Sequence, residues 1–388
     1  MLSHDENYFS YTYAYPFIAN GFVADTEVIR GCPDDCGLCN AHDQAPYAVI
    51  IEALDECNML CPTCIAASRP GAGKVRPCRQ ILERVKNYAV RQGKLDLVMV
   101  SGGEPTIHPE ILEILSGTKQ HARHVMLITN GRRISEDDKF VRELAEIGER
   151  LEIYLQFDSL REHVLQELRG SDLREVRSKA LAKLEKYNIP VTLVCVVKKM
   201  FNDDEVASIV KHALRYSNVR GVTFQPIRAS GRHASFDKDL HSTTLSEVRR
   251  TLLVDLGLPE DAIVPHPRNP ENMCIGYFAR GDHGGDLVDM TKKVFAIDHP
   301  NRRRIDELLY FLPDLDYQDL TYEKLFRIAV VSFLDKNSFT INQARRSGIV
   351  FLTDEGLTVP IDVYYLFGAK GQRASIPLPI AIYPQTKK

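Results

Sequence analysis

The sequence lacks the features that would assign it to a membrane, secretory or nucleic-acid-binding class. No apolar run approaches the ~20 residues that a membrane-spanning helix requires. The first residues, M-L-S-H-D-E-N, lack the basic stretch and apolar core of a secretory signal, and repeats and low-complexity segments are absent. The net charge of −3 gives no electrostatic reason to expect nucleic acid as a partner. We therefore expect a cytoplasmic, globular protein with no transmembrane segment.

The composition agrees with a globular protein, and the placement of the cysteines also predicts metal binding. Hydrophobic residues make up 44% and charged residues 26% of the 388 residues, as in ordinary globular proteins. This length allows one large domain or two of ordinary size. Six of the nine cysteines fall in two tight clusters, which indicates metal ligands rather than disulfides. A reducing cytoplasm would keep these thiols available as ligands.

Apolar, β-branched runs alternate with segments of helical spacing through the middle of the chain. Because the runs are continuous rather than alternating, they are typical of strands buried on both faces. The predicted strands are Ala48–Leu54, Leu97–Val100, Val125–Thr129, Leu151–Phe157, Val191–Val197 and Val222–Gln225. The predicted helices are Arg79–Gln92, Pro109–Gln120, Glu136–Arg150, Glu162–Leu168, Ser171–Tyr187 and Asp203–Tyr216. Plausible helix N-caps are Ser135 and Asp172.

Six β–α repeats predict a parallel sheet that is closed or nearly closed. Full closure into eight strands needs about 250 residues, whereas these repeats span residues 48–230. The prediction is an α/β fold with a six-stranded (β/α)6 partial TIM barrel at 48–230, a cysteine-rich metal-binding segment at 1–47 and an α+β cap at 231–388. The elements predicted within the cap are helices at Ser246–Leu256 and Thr321–Phe333 and hairpins near Gly284–Gly285 and Asp354–Gly356.

Three cysteines follow the first predicted strand in the run C-N-M-L-C-P-T-C. Cys57, Cys61 and Cys64 have the spacing C-x3-C-x2-C. Three thiolates hold only three irons of a four-iron cluster, so the fourth iron stays open to bind another molecule. A zinc knuckle is the alternative. Zinc normally takes four protein ligands, however, and no fourth cysteine or histidine lies within the motif.

A second motif, S-G-G-E-P, ends the next predicted strand and contains Gly102, Gly103 and Glu104. Because ligands bind at the carboxyl ends of strands in such sheets, this motif and the cysteines are expected at one rim. Asn130 and Asp158 end the third and fourth predicted strands and belong to the same rim. They are candidates for contacts to a cofactor or a substrate, although turn and cap roles explain them equally well.

The two motifs together resemble the signature of the radical S-adenosylmethionine (SAM) superfamily. The resemblance implies a partial barrel, a 4Fe–4S cluster on Cys57, Cys61 and Cys64, and SAM bound to the open iron by its amino and carboxylate groups. It implies that Gly102, Gly103 and Glu104 hold the methionyl ammonium. One electron from the cluster would then cleave SAM to methionine and a 5′-deoxyadenosyl radical, which abstracts hydrogen from an unactivated carbon.

Cys32, Cys36 and Cys39 repeat the same spacing nearer the N-terminus. No strand or Gly-Gly-Glu motif accompanies them, so a second SAM-cleaving site is not expected. Three close ligands indicate a mononuclear iron or zinc, or an auxiliary iron–sulfur cluster, completed from a distance. The candidates for the missing ligand are, in order of preference, Cys274, His42 and Cys78.

The run G-C-P-D-D-C-G-L-C-N-A-H-D-Q around this cluster narrows the resemblance. With Y-L-Q-F-D-S-L, L-R-G and F-Q-P-I-R-A-S-G-R, it is similar to the branch of tetraether-lipid synthases and related radical SAM methylases, from Gly31 to Asp298. That branch implies an extra cysteine-bound metal and work on carbon centres that resist ionic chemistry. The chain departs from the pattern because Cys274 is its one cysteine after the barrel and none lies near Pro360. Lipid–lipid coupling as the specific reaction is weakened accordingly.

Three functions follow as hypotheses. The first is a radical SAM transferase or lyase that acts on a lipid or small metabolite by carbon–carbon bond formation, methylation or rearrangement. The second is modification of a peptide, and the third is a non-catalytic module with zinc at both clusters. The enzyme would need a low-potential electron donor such as flavodoxin or ferredoxin. Aromatic residues that either line an apolar pocket or pack in the core are Phe278, Tyr364 and Tyr365.

Overall fold

The computed structural model describes residues 24, 39–40, 42–43, 45–233, 235–266, 269–281, 286–295 and 324–367. The strands are β1 (Ala48–Leu54), β2 (Thr63–Cys64), β3 (Leu95–Gly102), β4 (Ala122–Thr129), β5 (Leu151–Gln156), β6 (Val191–Val197), β7 (Val219–Pro226), β8 (Arg232–His233), β9 (Val264–Pro265), β10 (Met273–Arg280), β11 (Leu287–Asp289), β12 (Leu325–Val331), β13 (Ile349–Leu352) and β14 (Thr358–Pro360). The α-helices are α1 (Cys78–Gln92), α2 (Ile111–Lys119), α3 (Arg132–Glu136), α4 (Asp138–Ile147), α5 (Glu162–Arg169), α6 (Arg174–Lys186), α7 (Val206–Ala213), α8 (Lys238–His241), α9 (Leu245–Leu256), α10 (Thr291–Phe295), α11 (Ile341–Arg345) and α12 (Ile361–Phe367).

Parallel strands form the centre of one mixed sheet, in the order β13, β1, β3, β4, β5, β6, β7 and β12. Antiparallel strands flank it on both sides, because β10 pairs with β12 and β14 pairs with β13. All six predicted strands occur, and β1 and β6 have the predicted bounds. The predicted α/β partial barrel with a mostly parallel sheet is confirmed.

Two strands from the region predicted as a cap extend this sheet. β12 lies parallel to β7 with Arg327 opposite Gly221, and β13 lies parallel to β1 with Ile349 opposite Ala48. The hairpin predicted at Asp354–Gly356 corresponds to the antiparallel pair β13–β14, and the first predicted helix corresponds to α9. Gly284 and Gly285, where the other hairpin is predicted, lie outside the described residues, and the strands on either side of them, β10 and β11, pair antiparallel. The C-terminal part of the chain therefore helps to build the barrel wall.

The predicted helix Thr321–Phe333 is wrong, because residues 325–331 form strand β12. All seven residues of L-F-R-I-A-V-V are buried, so both faces of the segment are covered. The spacing of its large apolar residues fits a helix as well as a strand, and burial on both faces selects the strand. Among the described helices, none combines the length and apolar character needed to cross a lipid bilayer.

The strands bury alternate side chains on two faces, as their two-residue period requires. On β1, Val49 and Ile51 belong to the outer apolar cluster shared with the helices, whereas Ala48 and Ile50 belong to the inner one. The helices pack on the outer face, so the inner face lines the barrel. Polar side chains at the strand ends therefore reach the barrel rim.

A buried ion pair inside the barrel joins β12 to the predicted repeats. Arg327 Nη2 donates to Glu152 Oε1 at 2.8 Å and to Oε2 at 3.1 Å, and both side chains are almost inaccessible to water. The hydroxyl of Thr192 also donates to the Glu152 carboxylate. A buried charge needs such compensation, so this pair fixes β12 beside the strands of the central repeats.

Aromatic packing accounts for the candidate pocket residues of the C-terminal region. The rings of Phe351 and Tyr364 stack with centroids 4.0 Å apart, and Tyr365 meets Phe351 edge-on at 5.2 Å. The Tyr364 hydroxyl donates to Glu52 Oε2 at 2.7 Å inside the barrel. Phe278 is fully buried in the outer cluster. Core packing, the second of the two interpretations, therefore describes these residues.

Local capping differs from the sequence prediction at two helices. Ser135 lies inside α3, and Asp137 caps α4 by accepting a hydrogen bond from the Phe140 amide at 2.9 Å. The prediction for Ser135 is wrong because the chain forms two helices where one was expected. Asp172 accepts from the Arg174 amide at 3.1 Å, although Leu173 occupies the N-cap position of α6.

Candidate functional site

The cysteine loop, defined here as residues 55–76, connects β1 to α1 at the barrel rim. Cys57 and Cys61 are buried and Cys64 is partly exposed. Within the loop, β2 pairs antiparallel with β8, so that Cys64 lies opposite Arg232. The loop is therefore attached to the segment that follows β7, on the far side of the rim.

Arg232 secures the backbone of the cysteine loop from β8. Its Nε donates to the carbonyl oxygen of Cys61 at 2.5 Å, and its Nη2 donates to that of Ser68 at 2.8 Å. Gly231 beside it has φ +64°, and a Cβ there would lie 2.1 Å from the carbonyl oxygen of Ile65. The run F-Q-P-I-R-A-S-G-R contains both residues, yet the sequence alone does not reveal this contact.

A buried ion pair supports the loop from below. Arg169 Nε and Nη2 donate to the two carboxylate oxygens of Asp158 at 2.7 and 2.6 Å, and Arg169 Nη1 donates to the carbonyl oxygen of Thr63 at 2.8 Å. Burial would lower the pKa of Arg169, but the Asp158 carboxylate raises it above its ordinary value. The sequence suggests Asp158 as a contact for a cofactor or a substrate. In the structure its carboxylate binds Arg169, which in turn donates to the backbone of the cysteine loop.

Glu104 joins the ends of β3 and β4 through four hydrogen bonds. Its Oε1 accepts from the Thr106 amide and hydroxyl and from the Thr129 hydroxyl, and its Oε2 accepts from the Asn130 amide at 2.7 Å. Burial raises the pKa of Glu104, while the hydrogen bond from Asn130 and the others oppose the shift. The carboxylate is therefore built into the rim that carries the Gly-Gly-Glu motif.

Gly102 and Gly103 allow β3 to approach the start of the cysteine loop. Gly102 has φ +140°, and a Cβ on it would lie 2.2 Å from the carbonyl oxygen of Leu54. A Cβ on Gly103 would lie 2.1 Å from the carbonyl oxygen of Glu56. The Gly103 amide instead donates to the Leu54 carbonyl at 2.9 Å, and the Glu104 amide donates to that of Glu56 at 3.0 Å. The Gly-Gly-Glu motif is thus in direct backbone contact with the residues that immediately precede the cysteine motif.

Asn130 links the third strand end to the same loop. Its Nδ2 donates to Oδ1 of Asn58 at 2.7 Å, and its Oδ1 accepts from the Arg132 amide at 3.0 Å. Arg132 Nη1 in turn donates to the carbonyl oxygen of Asn58 at 3.2 Å. The rim residues predicted from the sequence therefore lie next to the cysteine loop or, in the case of Asp158, are linked to it by Arg169.

The three thiols of the loop are not drawn together as closely as the ligands of a single zinc ion. Sulfur ligands around one tetrahedral zinc lie about 3.8 Å apart, given Zn–S bonds of about 2.3 Å. Among the described residues, the ligand atoms grouped within 4.8 Å belong to Cys78, Glu110 and Glu113, not to the loop. Burial raises the pKa of Cys57 to about 12, so metal binding has to displace a proton there.

Only part of the second cysteine cluster lies in the described chain. Cys39 is buried, whereas Cys32 and Cys36 fall outside the described residues. His42 Nε2 lies 2.9 Å from the carbonyl oxygen of Ser347, just before β13. The His42 segment thus enters at the amino end of β1, while the cysteine loop follows its carboxyl end. Seven strand residues of about 3.3 Å each separate the two ends.

The predicted partner residues of that cluster occupy different places. Arg346 lies 3.9 Å from Asp43 and 3.4 Å from Glu271, and so connects the His42 segment to the turn that precedes Cys274. Cys274 itself is buried in β10 within the outer cluster. Cys78 lies at the start of α1 beside Glu110, whose carboxylate accepts from its amide at 3.3 Å. The role of Cys274 as a ligand stays a prediction.

Comparison with known proteins agrees with this geometry. The model of the radical SAM superfamily matches residues 26–213. A 7,8-dihydro-6-hydroxymethylpterin dimethyltransferase of Methanocaldococcus jannaschii is 31% identical over 222 residues, 56% of this chain and 44% of that protein. A probable GTP 3′,8-cyclase of Thermococcus kodakarensis is 30% identical over 44% of this chain and 53% of that protein.

More distant similarities extend to a maturase and to a solved structure. Mycofactocin maturase MftC of Mycobacterium ulcerans is 26% identical over 53% of each chain. The structure of Streptococcus suis SuiB bound to S-adenosylmethionine has a TM-score of 0.45 at 15% identity, over 53% of this chain and 46% of that one. The chain spans about half the length of the curated relatives it matches. Residues 26–213 therefore form a radical SAM domain with homologues in the radical SAM family.

Proposed function

We propose that this chain is an enzyme that reductively cleaves SAM and abstracts hydrogen from an unactivated carbon. The observation that carries the proposal is the backbone contact between the cysteine loop and the Gly-Gly-Glu strand end, inside the segment that the superfamily model matches. A 4Fe–4S cluster bound there would supply the electron that cleaves SAM to methionine and a 5′-deoxyadenosyl radical. That electron would come from a low-potential donor such as flavodoxin or ferredoxin.

The chain's own residues hold this site and limit its access to water. Cys57, Cys61 and Cys64 would ligate the cluster, and Arg169 and Arg232 fix the loop that carries them. Gly102 and Gly103 bring the β3 end against the loop, where the methionyl part of SAM would bind. The burial of Cys57 and Cys61 favours a cluster shielded from solvent.

We further propose a small metabolite or a lipid as the substrate. The dimethyltransferase and the cyclase among the relatives both bear the names of small-molecule compounds, and both are at least 30% identical to this chain. Carbon–carbon bond formation, methylation and rearrangement are all compatible with a hydrogen-abstracting site. Peptide modification is the second candidate, because the maturases match over a similar stretch at lower identity.

Anaerobic reconstitution tests the proposal. Loaded with iron and sulfide, the full chain is expected to be brown, with absorbance at about 400 nm. On addition of SAM and dithionite it is expected to form 5′-deoxyadenosine and methionine, measured by liquid chromatography. A colourless protein that carries zinc at both clusters and forms no 5′-deoxyadenosine would favour the non-catalytic module instead.

A second metal site is proposed at Cys32, Cys36 and Cys39, with Cys274 as the preferred fourth ligand. Support comes from the spacing of the cysteines and from Arg346, which links the His42 segment to the turn before β10. Elemental analysis of the reconstituted chain is expected to give iron or zinc in excess of one 4Fe–4S cluster. A metal content that one cluster fully accounts for would contradict the second site.

A further inference from the structure

Arg177 is a buried arginine whose guanidinium is only partly hydrogen-bonded. It lies on α6 with 1% of its surface exposed. Its Nη1 donates to the carbonyl oxygen of Asn130, while Nε and Nη2 have no hydrogen-bond partner among the described residues. Within the same residues, no carboxylate lies at ion-pair distance from it. Unpaired buried donors are costly to a fold, so this arrangement calls for an anionic partner.

The guanidinium lies beneath the cysteine loop. Leu173, at the start of α6, belongs to the same small apolar cluster as Cys57 and Cys61, and Val176 packs against that cluster. At the other end of the side chain, Asn130 accepts from Arg177 and reaches Asn58 in the loop. Arg177 is therefore placed between the carboxyl end of β4 and the cysteines.

Arg177 is a fully buried cation near the cysteine loop that has no dedicated carboxylate among the described residues. Asp158 is engaged on both oxygens by Arg169, and Glu104 is engaged by its four donors. Burial lowers the pKa of Arg177 to about 10, which still leaves the group charged at neutral pH. A cluster bound by three thiolates is anionic, and its reduction by one electron adds one further negative charge.

We propose that Arg177 is a positioning residue that stabilises the reduced state of the cluster through its buried charge. The inference rests on the proposed function, because it requires a 4Fe–4S cluster at Cys57, Cys61 and Cys64. Net charge and hydrogen bonding around an iron–sulfur cluster set its reduction potential. A fixed cation below the loop therefore makes reduction, and hence SAM cleavage, easier.

A redox titration of the reconstituted full chain, followed by electron paramagnetic resonance, tests this role. Arg177→Met is expected to lower the equilibrium constant of cluster reduction roughly tenfold, a shift of about 59 mV to more negative potential for one electron. Arg177→Lys keeps the charge and is expected to stay near the wild-type potential. The matched control is Arg280→Met. Arg280 is also a partly buried arginine, but it donates to the carbonyl oxygens of Leu214 and Val219 at the amino end of β7, whereas the cysteine loop lies at the carboxyl ends of the strands.

The outcomes separate this inference from the proposed function. If the cluster-loaded Arg177→Met variant has the wild-type reduction potential, the inference about Arg177 is overturned, even if the variant binds SAM more weakly. If Arg177→Met holds no cluster, Arg177→Gln provides a second neutral variant. Loss of the cluster in both neutral variants but not in Arg177→Lys supports a requirement for charge, and loss in all three overturns it. A wild-type chain that takes up no 4Fe–4S cluster refutes the proposed function itself.

Discussion

Exchange of Cys57, Cys61 and Cys64 together for alanine is expected to abolish iron uptake at the cysteine loop and all formation of 5′-deoxyadenosine. The three sulfurs are the ligands that this loop offers to a metal, and SAM cleavage depends on the electron that the cluster delivers. Iron analysis, the visible spectrum and chromatography of the reaction products measure the loss. The folded apo-protein should remain, because Arg169 and Arg232 donate to backbone carbonyl oxygens of the loop and Asn130 donates to Asn58, and the substitutions leave these acceptors in place.

The matched control is Cys195→Ala. Cys195 is fully buried in β6 within the outer apolar cluster, so its thiol serves as a small core side chain. This variant should retain the iron of the loop and form 5′-deoxyadenosine. Equal loss of iron in the control and in the triple variant would contradict the assignment of the cluster to the loop.

Replacement of Arg169 by methionine is expected to destabilise the apo-protein by about 3–5 kcal/mol, the usual cost of breaking a buried ion pair. The change leaves the Asp158 carboxylate in the interior without its bidentate partner and removes the donor to the Thr63 carbonyl. The loop that carries the cysteines would lose its support from below. Denaturant unfolding under anaerobic conditions measures the first effect, and iron uptake measures the second.

Two further variants distinguish burial from charge. Arg174→Met removes a half-exposed arginine paired with Asp172 and Glu162 at the start of the next helix, and should change the stability little, because exposed ion pairs are screened by water. Asp158→Asn combined with Arg169→Met removes both buried charges, and asparagine tolerates the left-handed φ of +68° at position 158. The double variant should be more stable than Arg169→Met alone. Equal destabilisation by Arg169→Met and Arg174→Met would show that the buried pair has no special weight.

Much of the barrel is predictable from sequence because its strands are buried on both faces. Ala48–Leu54 and Val191–Val197 are continuous apolar runs, and their bounds in the structure are the predicted ones. β12 is not predictable in this way, since the spacing of its large apolar residues on either side of Arg327 fits a helix as well as a strand. Glu152 compensates the buried charge of Arg327, but it lies 175 positions earlier in the chain.

The site is predictable in position and less so in the roles of its residues. The cysteine loop and the Gly-Gly-Glu motif lie side by side at the strand ends, as their positions after two successive strands predict. Gly102 and Gly103, however, are needed for the approach of one strand end to the loop, which no local pattern reveals. Arg177 left one local signal, because it occupies the apolar stripe of α6 with Ala180, Leu181 and Leu184. An arginine on such a stripe is expected to be buried.

The two C-terminal strands on either side of the barrel bear on how this protein is divided. The superfamily model ends at residue 213, yet β13 covers the outer edge of β1 and β12 brings Arg327 to Glu152. A fragment cut at that border would leave a bare strand edge and an orphaned interior carboxylate. The segment with recognisable sequence similarity is therefore shorter than the segment that we expect to unfold cooperatively. Evolutionary and folding units thus have different boundaries in this chain.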